Sequence, residues 1–133
     1  MSVRSYQDLR VWQAGMELVI RIYRLTRRFP PEERYGLAAQ TQRAAISVPA
    51  NIAEGHGRSH LGDKLRHFSI ANGSLKELET EALIAKELGY APDTQASDVG
   101  RRTEDLGRML TCLVRSLRRH ASSTTTHNQQ PAN

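Results

Sequence analysis

One cysteine, one tryptophan and two phenylalanines are all that 133 residues contain of those types, and aromatics make up only 5%. A lone Cys112 cannot close an internal disulfide or build a thiolate cluster, which fits a reducing compartment. No apolar run approaches the roughly 20 residues that cross a bilayer. The opening MSVRSYQDLR lacks the apolar core of a secretion signal, so the expectation is a cytoplasmic chain with no membrane partner. No segment alternates as a strand would. None of the five histidines follows a Glu by three, which removes the Glu-x-x-His ligands of a di-iron bundle. His56 and His60 have the four-residue spacing of a metal pair, but Gly57 and a helix boundary separate them, so they read as a turn. The expectation is no metal and no cofactor.

What is present is arginine. The net charge is +5, and 16 of the 19 basic residues are Arg. A guanidinium holds phosphate or carboxylate with two donors at once, so the bias suits nucleic acid or an acidic partner.

Four helical patterns run along the chain. Ser5-Tyr6-Gln7-Asp8 reads as a capping box opening the first, which ends before Phe29-Pro30-Pro31. Leu9, Trp12, Met16, Val19 and Tyr23 form its expected core seam. A second apolar row, Val11, Ala14, Leu18, Ile22 and Leu25, lies nearly opposite and is assigned to a neighbouring subunit. The second helix starts at Pro31 and buries Leu37, Thr41, Ala44, Val48 and Ile52. The third opens near Ser59, buries Leu61, Leu65, Phe68, Leu75, Leu78 and Ala82, and stops at Gly89 and Pro92. The fourth carries Val99, Thr103, Leu106, Leu110, Leu113 and Leu117 at strict 4-3 spacing. Short connections predict an all-α, antiparallel up-down-up-down four-helix bundle over residues 1–120, with a disordered polar tail at 121–133.

The stretch 47-SVPANIAEGHGR-58 decides between a phosphate loop and a bent helix. It has no preceding strand and no Gly-Lys-Ser/Thr, so it is not a phosphate loop. Small neighbours Ala44, Ala45, Ser47, Ala50 and Ala53 allow a second helix kinked at Pro49, with Gly55 or Gly57 as a left-handed cap. Gln40, Ser47, Asn51 and Glu54 then form a polar row. With Asn72 and Glu79 on the third helix they are expected to pair, Ser47 level with Asn72 and Gln40 with Glu79, as a network fixing helix register.

LRVWQAG, FPPEERYGLAAQTQRAAISVPANIAEGHGR and GSLKELET, within residues 5–91, closely resemble the four-helix-bundle family associated with intervening sequences in bacterial 23S ribosomal RNA genes. The resemblance implies a compact subunit assembling as a homopentamer. The chain also looks like a relative of the accessory protein of diversity-generating retroelements, a basic pentamer that binds nucleic acid and reverse transcriptase. No catalytic residue comes with the resemblance. Lys64 and His67 stand where aromatic residues are expected.

Two alternatives remain. Arg115-x4-His120 matches the Arg-x4–6-His pattern of HEPN-type ribonucleases, in which His and Arg would activate a ribose hydroxyl and stabilise phosphate charge. The same segment also reads as a basic helix end. A pure assembly protein with protein partners only is the other. Cys112 is taken as a packed thiol, and Trp12 and Tyr23 as core rather than stacking platforms. The preferred reading is a non-enzymatic, oligomeric adaptor. Its nucleic-acid surface is assigned to Arg10, Arg21, Arg24 and Arg28 of the first helix and Arg101, Arg108, Arg115 and Arg119 of the fourth. The arginine-dense ends of these helices are expected at opposite ends of the bundle, giving stripes rather than one patch.

Overall fold

The computed structural model describes residues 4–128, and every regular element among them is helical. α1 spans Arg10–Thr26, α2 Leu37–Gly57, α3 Leu61–Glu87 and α4 Asp93–Asn128, with 3-10 turns at Tyr6–Asp8 and Pro31–Glu33. Each helix packs on the next, and α4 also packs on α1, giving bundle-like packing around one apolar core. Leu18, Ile22 and Leu25 of α1, Val48 and Ile52 of α2, Leu75 and Leu78 of α3, and Leu106 of α4 are among its best-buried large side chains.

Side-chain pairs fix the register. Gly15 of α1 lies against Pro49 of α2, and Gln42 donates to the Thr26 hydroxyl at 2.9 Å. Arg21 reaches Asp98 at 3.4 Å and Glu17 meets Arg102 at 3.2 Å, joining α1 to α4. Pro49 sits within α2, where it withholds the N–H that the Ala45 carbonyl would otherwise accept, and it is buried on the α1 side.

Four expectations change. The second apolar row of α1 faces the bundle core: Val11, Leu18, Ile22 and Leu25 are buried there, with Ala14 half-buried beside them, while Leu9, Trp12 and Val19 of the first row are only partly buried against it. The second row is therefore unavailable to a second subunit. Met16 (41% exposed) and Tyr23 (38%) turn outward, as does Ile20 (50%), and Trp12 is half-buried in an edge-on contact with Tyr6. Both rows were apolar, so hydrophobicity alone could not say which one the other helices cover. At the N-terminus, the Ser5 hydroxyl accepts from the Gln7 N–H and caps the 3-10 turn, not α1. Extended backbone at Leu9 breaks the helix there, and Asp8 accepts from the Arg4 N–H.

Neither Gly55 nor Gly57 takes a left-handed conformation, which only Gly89 adopts among the described residues, at φ 76°. Gly55 is needed for space: a Cβ there would stand 2.7 Å from the Phe68 ring. The end of α2 is closed instead by Lys64, whose Nζ donates to the His56 carbonyl at 2.9 Å. Finally, α4 runs on through residues 121–128, where a structureless tail was expected. No Gly or Pro interrupts that stretch, and extending an existing helix fixes far fewer dihedrals per hydrogen bond than starting one. Residues 129–133 of the expected tail lie outside the described residues.

Candidate functional site

The α2/α3 seam carries a connected line of polar side chains. Asn51 donates through Nδ2 to the Ser47 carbonyl at 2.9 Å and the Ser47 hydroxyl at 3.0 Å. Its Oδ1 is therefore the acceptor toward His67 Nδ1, 3.0 Å away, which assigns the ring proton to Nδ1. Ser74 donates to the Ser47 hydroxyl at 2.8 Å. Buried His67 turns Nε2 toward Glu54, 3.5 Å away: ion-pair range, without hydrogen-bond alignment. Glu54 itself is exposed and also meets Arg58 at 3.6 Å.

Of the expected network, Ser47 and Asn51 lie in this line and Glu54 borders it. Gln40 is exposed. Asn72 and Glu79 turn toward α4, and Glu79 pairs with Lys76 at 3.7 Å. The levels were close, since Ser47 meets Ser74 rather than Asn72, but the side of α3 was not. The residues missed are His67, Ser74 and Glu81. Their signal was a seven-residue recurrence, which keeps polar groups on one helix face.

Glu81 continues this face beside Thr41. It is 5% exposed, and neither carboxylate oxygen has a hydrogen-bond partner among the described residues. The nearby Thr41 hydroxyl donates to the Leu37 carbonyl at 2.7 Å. Burial pushes the Glu81 carboxyl up to about 7, and Glu77, one turn earlier, adds to the rise. Thr41 and the Arg43 guanidinium oppose it.

The arginine set divides by what each guanidinium already holds. Arg21 lies between Glu17 and Asp98, each 3.4 Å away, and Arg101 is 3.8 Å from Asp98. Arg108 is held by Glu104 and Asp105. Arg10, Arg24, Arg28, Arg115 and Arg119 are exposed and meet no carboxylate among the described residues. Exposed Arg27 extends the α1 group, and exposed Arg118 the α4 group. The Arg21–Asp98 and Glu17–Arg102 pairs put the end of α1 beside the start of α4, so Arg24, Arg27 and Arg28 lie away from Arg115, Arg118 and Arg119, while Arg10, at the start of α1, stands apart from the first cluster.

Arg115 and His120 sit on the same helix but five residues apart, roughly 140° around its axis, so they do not converge on one face. Cys112 is exposed in the α3/α4 groove, not packed: it lies on the side of α4 away from the Leu106–Leu110 core row. Among the described residues no group of three or more His, Cys, Asp or Glu could hold a metal ion, and no helix is long and apolar enough to cross a membrane.

Residues 7–112 match the family model described as 23S rRNA-intervening sequence protein. Among solved structures, the chain is similar to a protein with unknown function from the S23 ribosomal protein family of Bacteroides thetaiotaomicron VPI-5482, determined at 1.70 Å resolution. The two are 19% identical, with a TM-score of 0.73, over 78% of this chain and 97% of that one, a likeness of fold. No curated protein matches the chain.

Proposed function

The chain belongs to the 23S rRNA-intervening sequence protein family, and on that premise we propose that it is a non-enzymatic, basic adaptor of the cytoplasm that binds structured nucleic acid through phosphate contacts. The observation that carries this reading is the set of exposed arginines with no carboxylate beside them: Arg10, Arg24 and Arg28 on α1, Arg115 and Arg119 on α4. Arginines already held by acids gain less from a phosphate, so Arg21, Arg101 and Arg108 leave the proposed surface. The subunit is an up-down-up-down antiparallel bundle with α2 bent at Pro49. It assembles as a homo-oligomer, a pentamer by its resemblance, through the outward face of α1 rather than the Val11–Leu25 row. Repetition in the oligomer adds modest phosphate contacts together.

The test is a native-gel titration against a labelled structured RNA at low and moderate salt, with the RNA followed for cleavage. Binding should fall steeply with salt, and the RNA should stay whole. Replacing Arg24, Arg28, Arg115 and Arg119 by Ala should weaken binding by about tenfold or more and flatten the salt dependence. Binding indifferent to salt and to these four changes refutes phosphate contact by this surface, and cleavage lost in His120→Ala would establish the ribonuclease alternative.

A further inference from the structure

Between α3 and α4 runs a groove whose floor phosphate binding does not use, although Arg115 stands on its rim. Two contiguous cavities of about 350 and about 590 Å³ open there and share Asn72, Thr111 and Arg115. The floor is apolar: edges of the core residues Phe68, Leu75 and Leu110 show through, with half-buried Leu65 and Val114 beside them. Gly107 brings no side chain opposite Asn72, which leaves the groove open between the two helices.

The α4 rim is cationic, with Arg108, Arg115 and Arg118 along it. Glu104 and Asp105 are the acidic side chains that precede this rim on α4, and Arg108 holds both. From residue 106 to 133 there is no Asp or Glu, and the acids that line the groove are already paired, Glu79 with Lys76 and Glu104 with Arg108, so Arg115 and Arg118 stand over an apolar floor with no carboxylate beside them among the described residues. Desolvating unpaired guanidiniums beside apolar surface is unfavourable unless an anion comes with the covering group. That combination selects a partner with apolar side chains on one edge and carboxylates beside them. Nucleic acid fits less well: phosphates gain nothing from the floor, and Phe68 is buried too deeply to stack a base. Arg115 and Arg118 lie one helical turn apart, about 4.5 Å along α4, whereas Arg108 is already held by Glu104 and Asp105. Carboxylates three or four residues apart on a docking helix match that interval.

We propose that the α3/α4 groove docks an acidic amphipathic helix of a partner protein. This stands on the groove itself and not on the nucleic-acid reading. The probe is a fluorescent synthetic helical peptide with leucine on one edge and glutamate flanking it, beside a version with glutamine for every glutamate. Anisotropy is read with the full chain. The glutamate peptide should bind at least about tenfold more tightly than the glutamine one, as expected for two or more charge-assisted pairs.

Thr111→Arg is the deciding variant. Thr111 is exposed, and its hydroxyl donates only to the Gly107 carbonyl of its own helix, so the fold survives the change. The substitution adds a positive charge while filling the centre of the groove. Peptide binding should fall several-fold, whereas affinity for structured RNA should hold or rise. Equal or tighter peptide binding overturns the proposal in favour of diffuse attraction. A loss of RNA affinity that parallels the peptide loss overturns it in favour of a nucleic-acid groove. A change in the protein's own sedimentation overturns it in favour of a second copy, whose exposed α3 row of Ile70, Glu77 and Ile84 would be the occupant.

Discussion

Glu81 couples the α2/α3 seam to pH. Its folded-state carboxyl titrates at about 7 against a reference of 4.5, so the folded chain holds this proton more tightly than the unfolded one. Below the reference value both states are protonated and nothing is lost. Between the two values only the unfolded chain ionises, so stability falls as pH rises; above about 7 both are ionised and the loss is complete. Glu81→Gln keeps the shape and removes the charge. It should abolish this slope and make the variant about 1–3 kcal/mol more stable than the parent at about pH 8, with little difference at about pH 4. Urea unfolding at the two pH values measures it, and a parent chain with equal stability at both contradicts the account. The polar face of α3 was visible in the sequence as the recurrence of His67, Ser74 and Glu81. Asn72 and Glu79, seven apart in the same helix, made an equally regular row. Only the position of α4, which takes Asn72 and Glu79 to its own side, separates the two.

At the scale of the element, the junction of α2 and α3 rests on two glycines with different roles. Gly55 is buried, and a Cβ on it would press on the aromatic face of Phe68; Gly57 has nothing within 4 Å of that position. Both have negative φ. Gly55→Ala should therefore destabilise by about 1–3 kcal/mol, because the Phe68 ring fills core space and cannot move without displacing its neighbours. Gly57→Ala should be neutral or stabilise by up to about 1 kcal/mol, through the lower entropy of the unfolded chain. Thermal or urea unfolding of the pair checks this, and equal effects from both would contradict it. Helix positions and most seam residues were legible because apolar periodicity reports the covered face directly, as with Val48, Ile52, Leu75 and Leu106. The end of α2 was not, since a glycine needed for close approach and one needed for a left-handed cap look alike in sequence. Extended Leu9, which separates the Ser5 cap from α1, left no pattern to read.

For the whole molecule, the open question at the surface is the outward side of α1. Met16, Ile20 and Tyr23 follow one another at helical spacing, and on α2 Ile46 lies one turn before Pro49, which packs on Gly15 of α1. Scattered exposed apolar residues are ordinary, but a continuous stripe on one helix face favours being covered. The oligomer proposed above would cover it without disturbing Leu18 or Ile22, which already belong to the core. Ile20→Lys discriminates well, because Ile20 is half exposed and its replacement costs the isolated subunit little. In sedimentation velocity the variant should shift to a smaller species while its circular dichroism stays helical; an unchanged sedimentation coefficient removes α1 as the interface. Dissociation should also lower affinity for structured RNA, although the change adds a positive charge to each subunit, because contacts that had acted together would then act singly. RNA affinity that rises with the added lysine, in a dissociated subunit, would mean that local charge and not assembly governs binding.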